Sequence, residues 1–198
     1  MNSKTFIAAA VLMAVSAGLA CITETNAKVA TAGTVSANIT NKARKPTALH
    51  LQGPTFDDRE FDGELITRTD AEWRKQLTSA EYNILRKQGT EAPYSHDFAA
   101  NHQKGVYYCR ACGLALFRSA NKFESGTGWP SFYKPIFEKN VVEVTDTSLS
   151  ETRTEIKCAR CRSHLGHVFN DGPEPTGLRY CMNGLALQFR KSASTGPK

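Results

Sequence analysis

The sequence predicts a mainly antiparallel β domain with short helices on its N-terminal side, spanning roughly 59–192. Three observations carry this. Thr69-x-x-Glu72 and Thr78-x-x-Glu81 have the spacing of helix capping boxes. Short runs rich in β-branched and aromatic residues then recur, separated by Gly, Pro and Asn. Two C-x-x-C pairs follow strand-like runs, where a metal-binding knuckle usually begins. No repeat of fixed period is present. With 40% apolar and 22% charged residues in 198, the composition is that of a globular chain. It excludes a collagen, a disordered chain and a polytopic membrane protein.

At the N-terminus, Lys4 precedes an uncharged apolar stretch from Phe6 to Ala20. This is the pattern of a secretory signal covering 1–27, with cleavage after Ala27. The stretch is shorter than the ~20 residues that span a bilayer. An exported protein, periplasmic or secreted, is therefore expected. The rival readings are a lipoprotein anchored through Cys21 and an organellar presequence. Gly18 stands where lipidation signals usually carry an aliphatic residue, and the leader lacks arginine. Residues 28–58 start with a stretch rich in Ala, Thr and Asn that has almost nothing to bury, so they read as a flexible linker. Residues 193–198 read as a disordered tail. The net charge of +6 is concentrated upstream, because from Leu49 onward 20 Lys+Arg face 18 Asp+Glu. A nearly neutral domain argues against nucleic acid as a partner.

Within the domain, Trp73 and Leu77 are four apart, as are Glu81 and Leu85, and Gly89 ends the pattern. Helices are predicted at about 70–77 and 79–88. Strands are predicted around Val106–Tyr108, Val141–Val144, Thr152–Lys157, His167–Phe169 and Leu187–Phe189, with another through Arg179–Asn183.

Cys109-x-x-Cys112 and Cys158-x-x-Cys161 are the strongest motif. Two residues between cysteines let both sulfurs face one ion, and two such turns complete a tetrahedron. Four thiolates leave no open position for water, so one structural zinc ion is expected. Two disulfides are the competing reading, since export would permit them. A bridge across so short a loop is normally redox-active, and two in one small domain is the less economical arrangement. Cys181 is then the spare thiol. In a strand, Arg179, Cys181 and Asn183 share a face. A neighbouring cation favours the thiolate that a nucleophile needs, whereas a buried small hydrophobe has no use for such neighbours. His164 and His167 are free for proton transfer once the cysteines fill the ion's shell. Gly126-Thr127-Gly128-Trp129 forms a loop whose glycines permit close backbone approach and whose indole offers an apolar wall.

Together these pieces resemble the methionine sulfoxide reductase B family, the peptide-methionine (R)-S-oxide reductases. The match runs from Gly89–Tyr94 through both knuckles and Ser125–Phe132 to His164–Phe169, Asp171–Pro173, Pro175–Gly177 and Arg179–Asn183. It covers about 70–190, with the family's motifs in the family's order. The resemblance implies two antiparallel sheets, zinc on Cys109, Cys112, Cys158 and Cys161, and Cys181 as nucleophile. It implies that Trp129 and Phe169 border the substrate methyl group, and that His167, His164, Arg179, Asp171 and Asn183 surround the sulfoxide oxygen and the thiol. Many members carry a resolving cysteine where Thr127 stands; others carry threonine, as here. Residues 184–187 (GLAL) also depart from the small polar residues often found after the Asn183 position.

A sulfoxide oxygen leaves only when protonated, so a thiol must face sulfur while an acid faces oxygen. Cys181 fits the first role and His167 the second, with His164 as its alternate. With Thr127 in place of a resolving thiol, a thioredoxin-like protein or a small thiol is the expected reductant. Methionine-R-sulfoxide residues in proteins are the expected substrate, and a monomer the expected state. The alternative function is a non-enzymatic zinc-ribbon module binding protein or RNA.

Overall fold

The computed structural model describes residues 54–192. The expected signal segment, Cys21, linker residues 28–53 and the 193–198 tail lie outside the described residues. Ordered contacts begin upstream of the expected domain edge at 59. Asp57 forms a parallel bridge with Leu114, and its carboxylate joins the guanidinium groups of Arg59 and Arg160. Gly113 makes this approach possible. It adopts φ +76°, and a Cβ there would lie 2.2 Å from the Thr55 carbonyl oxygen.

Helices α1 (Asp70–Gln76) and α2 (Ser79–Lys87) both start at complete capping boxes, on Thr69 with Glu72 and on Thr78 with Glu81. The left-handed residue that ends α2 is Gln88 (φ 57°), one position before the expected Gly89. Gly89 is needed for another reason: it packs against Asn83, which a Cβ would strike at 2.5 Å.

Nine strands follow among the described residues: β1 Gly105–Cys109, β2 Ala115–Arg118, β3 Lys122–Phe123, β4 Ser131–Phe132, β5 Val141–Asp146, β6 Arg153–Cys158, β7 His164–Phe169, β8 Arg179–Met182 and β9 Leu187–Lys191. They form two antiparallel sheets, ordered β2-β1-β9 and β3-β4-β8-β7-β6-β5. The expected mainly β class holds. Strands β2, β3 and β4 went unread in the sequence; β3 and β4 have two residues each, too few to show an alternation.

Aromatic rings lock the sheets together. Phe117 of β2 stacks on Phe132 of β4 at 4.4 Å between centroids, and Tyr107 of β1 meets the same ring edge-on at 5.0 Å. Tyr180 of β8 lies 5.9 Å from Phe117. Such pairs contribute about 0.5–1.5 kcal/mol each beyond the area they bury. Trp73, Leu77 and Leu85 add the helical flank to the same core.

Strand β8 lies between β4 and β7. On β7, Gly166 faces Met182, and a Cβ at 166 would come within 2.1 Å of the Cys181 carbonyl oxygen. Only hydrogen fits there. Gly166→Ala is expected to cost about 1–3 kcal/mol of stability through overpacking. Urea unfolding measures this, and the β7–β8 amide resonances should shift.

Candidate active site

The four knuckle cysteines come from different sheets. Cys109 ends β1 and Cys112 lies in the following turn; Cys158 ends β6 and Cys161 follows it. All four are buried free thiols, with every sulfur within 4.8 Å of the others. Cys109 Sγ lies 3.6 Å from Cys161 Sγ, and Cys112 Sγ lies 3.5 Å from Cys158 Sγ. A disulfide requires about 2.05 Å. Sulfurs held about 2.3 Å from a tetrahedral ion would stand about 3.8 Å apart. The cluster therefore fits a metal ion and does not fit disulfides. Burial pushes the Cys109 and Cys158 thiols well above their ordinary range, which a dication among them would reverse.

Cys181 lies apart from this cluster. Its cross-strand partners are Ser131 on β4 and His167 on β7, so hydroxyl, thiol and imidazole form one row across three strands. Two positions along, Arg179 pairs with Phe169, and the guanidinium carbon sits 4.5 Å from the ring centroid. The expected common face of Arg179 and Cys181 is present. Arg179 Nε and Nη2 each donate to Asp171 at 2.8 Å, a bidentate pair that fixes the cation. Asp171 thus meets the guanidinium rather than the thiol.

Cys181, His167, Trp129, Phe169, Met182 and Asn183 line one cleft of about 150 Å³, with Thr90, Arg153 and Gly166. Trp129 is held upright by its Nε1–H, which donates to the Glu91 carbonyl at 3.2 Å. A roomier depression of about 460 Å³ runs past His102, Lys104 and Arg118 and is lined by no cysteine.

Arg179 favours the Cys181 thiolate, in the direction expected, but it does not set the balance. Burial raises the Cys181 thiol above its ordinary value and outweighs the other influences. The Arg179 charge and the hydroxyls of Thr127 and Ser131 pull it down without reversing it. The sulfur rests protonated near neutral pH.

The two histidines have different environments. His167 is partly exposed, and its Nε2 lies 2.8 Å from Asp146 Oδ2. His164 is 3% exposed, with Nδ1 2.7 Å from Glu155 Oε1 and a buried Nε2 that no group bonds. Burial pushes its pKa down, against the pull of Glu155. Asn183 is a brace. Its Oδ1 accepts from Glu91 N–H at 3.1 Å and its Nδ2 donates to the Leu165 carbonyl at 3.1 Å.

Several contributors went unread in the sequence. Glu91 accepts from the Gly184 and Leu185 amides and so pins the 89–94 segment, including the Trp129 acceptor, to the end of β8. Ser131 stands opposite Cys181 in the register, Asp146 meets His167, and Arg153 lines the cleft while donating to Asp146 at 2.7 Å. Glu91 and Ser131 lie inside the Gly89–Tyr94 and Ser125–Phe132 motifs, which is the signal they carried. Asp146 and Arg153 follow from register between strands.

Fold and site define a class: small two-sheet β domains with a metal-competent cluster of four cysteines and, separately, one thiol in an aromatic-walled cleft. A family model described as the SelR domain matches residues 77–191. A peptide methionine sulfoxide reductase MsrB of Leptospira interrogans is 51% identical over 126 residues, 64% of this chain and 96% of that protein. The MsrB of Thiobacillus denitrificans is 54% identical over 62% of this chain and 92% of its own length. For the MsrB of Methanosarcina mazei the figures are 51%, 66% and 94%. The chain belongs to the MsrB family of peptide methionine sulfoxide reductases. The zinc-ribbon binding module is accordingly not favoured.

Alkylation of Cys181 by iodoacetamide should accelerate steadily with pH through the ordinary thiol range, because burial holds back ionisation. Arg179→Ala removes a downward pull, so its rate curve should lie further to the alkaline side. Mass spectrometry of the labelled peptide reads both curves.

Proposed function

We propose that this protein reduces methionine-R-sulfoxide residues in proteins to methionine, with Cys181 as the nucleophile. The observation that carries the reading is the strand register setting Cys181 against His167 in a cleft walled by Trp129 and Phe169. The aromatic walls receive the S-methyl group, and the polar side, with His167 and Arg179, takes the sulfoxide oxygen. The hand of the substrate follows from which face of sulfur this leaves toward the thiol.

The chemistry balances without an outside proton. Cys181 enters as S–H, its proton passes through His167 to the sulfoxide oxygen, and its sulfur attacks the substrate sulfur. The S–O bond breaks as OH transfers to Cys181. Methionine leaves, and Cys181 is a sulfenic acid, two electrons more oxidised. Two external thiols then return it to S–H, giving water and one disulfide. An external reductant, thioredoxin-like or a small thiol, is supported by a threonine, not a thiol, standing at position 127 and by the remaining described cysteines being gathered in the cluster.

Cys109, Cys112, Cys158 and Cys161 would hold one zinc ion, which when bound supplies a structural cross-link between the sheets and no reactive group. The leader-like segment, Lys4 followed by the apolar run Phe6 to Ala20, supports action outside the cytoplasm, on proteins exposed to oxidants.

Wild type should reduce dabsyl-methionine-R-sulfoxide with dithiothreitol and leave the S epimer untouched. Cys181→Ser should lower that rate about a thousandfold or more. Reduction of both epimers alike, or turnover surviving in the serine variant, would overturn the assignment. After one turnover without reductant, dimedone should label Cys181, whereas an intramolecular disulfide would exclude the external-thiol step. Metal analysis should find one zinc per chain, lost with stability in Cys158→Ser.

A further inference from the structure

Beyond the residues assigned so far, and resting on the reductase reading, we propose that Asp146 is a positioning residue for His167. It holds the ring with Nε2–H turned to β5 and leaves Nδ1 as the atom that carries the proton in the cleft.

The geometry is specific. Asp146 ends β5, opposite Arg153 at the start of β6. Its Oδ1 accepts from the Ser148 amide at 2.9 Å, and its Oδ2 lies 2.8 Å from His167 Nε2 and 2.7 Å from Arg153 Nη2. Hydrogen bonds from Ser148, His167 and Arg153 hold this carboxyl well below the usual carboxylate range, so it is ionised near neutral pH. An ionised carboxylate has lone pairs and no proton to give. His167 Nε2 must therefore be the donor, which fixes the neutral ring as the Nε2–H form. Among the described residues no hydrogen bond reaches Nδ1, the nitrogen left to receive the Cys181 proton and pass it on.

The other charged groups around His167 do not replace Asp146. Glu155, its cross-strand partner on β6, is engaged by His164 Nδ1, Gln88 Nε2 and Lys157 Nζ. Arg179 on β8 is engaged by Asp171. His164, on the same strand as His167, faces it ring to ring at 5.5 Å, and Cys181 faces it across the register. Arg153 shares Asp146 Oδ2 with the ring and, having donors only, offers Nε2 no acceptor of its own.

Two measurements test this on the full chain. Nitrogen-15 spectra of the histidines should show His167 in the Nε2–H form when neutral. The second is kcat and KM for an R-sulfoxide at a single pH. In Asp146→Asn the side-chain amide can turn its donor to the ring, so the Nε2–H preference should be lost and kcat should fall about tenfold or more with KM nearly unchanged. In Arg153→Met the carboxylate stays on Nε2, so the Nε2–H signal should persist. An Nδ1–H ring in the wild type, or an unchanged ring signal and kcat in Asp146→Asn, would overturn the proposal. If Asp146→Asn fails to fold, the wild-type and Arg153→Met spectra still decide it. The spectrum needs no substrate, so an Nε2–H ring in a protein that reduces no sulfoxide would count against the reductase reading and not against this pairing.

Discussion

The registration of three neighbouring strands is the constraint on which the site depends. Because β8 is flanked by β4 and β7, Ser131, Cys181 and His167 stand in one row on one face of the sheet. A slip of one residue in β8 would exchange Cys181 for Met182 or Tyr180 and turn the sulfur to the opposite face. Gly166 helps to guard this register, since its missing side chain lets the Cys181 carbonyl approach β7. The catalytic geometry is thus a property of the backbone, and it exists before any substrate arrives.

Charge in the cleft is handled in fixed pairs. Arg179 is held by Asp171, His167 by Asp146, and His164 by Glu155. Each pair keeps an ionisable group near the thiol without leaving a bare charge in a small apolar-walled space, where an unpaired ion is costly. The outcome for Cys181 is a thiol raised by burial and moderated by its polar neighbours. Such a group resists oxidants in solution better than a permanent thiolate would. In the proposed reaction the thiol loses its proton, and the paired histidine opposite it in the register would provide the route.

What was legible in the sequence follows the range of the interactions. The Thr69/Glu72 and Thr78/Glu81 boxes act over three residues, and both appear where the letters put them. The face shared by Arg179 and Cys181 follows from strand geometry alone. The two knuckles needed only their spacing for the cysteines to be brought together, although their sequence separation is large. By contrast, Asp146 gains meaning only when β5 takes its place in the sheet, and nothing local marks it; Ser131 is marked by its motif, but its place opposite Cys181 is not. Asn140 is the clearest case. A polar side chain with no exposed surface, it binds the backbone of Arg59, Phe61 and Ala115 at once. In the chain it is one more asparagine before a strand. Asn183 was legible as a neighbour of the thiol and illegible as a brace, because its partners Glu91 and Leu165 lie far from it in sequence.

The four-cysteine cluster and the catalytic thiol use the same element in different ways. Cys109 and Cys112 belong to the sheet built on β1; Cys158 and Cys161 belong to the sheet whose interior strand carries Cys181. Drawing the four sulfurs together fixes one sheet on the other at one end, and the Phe117–Phe132 stack fixes them again nearer β4. The second anchor lies on β4 itself, which carries Ser131 opposite Cys181. A small domain can then hold a cleft of about 150 Å³ in shape with few residues devoted to the task. Four cysteines gathered into one cluster also leave Cys181 apart from every other described thiol. Joining the two sheets and isolating that sulfur are thus achieved by the same arrangement.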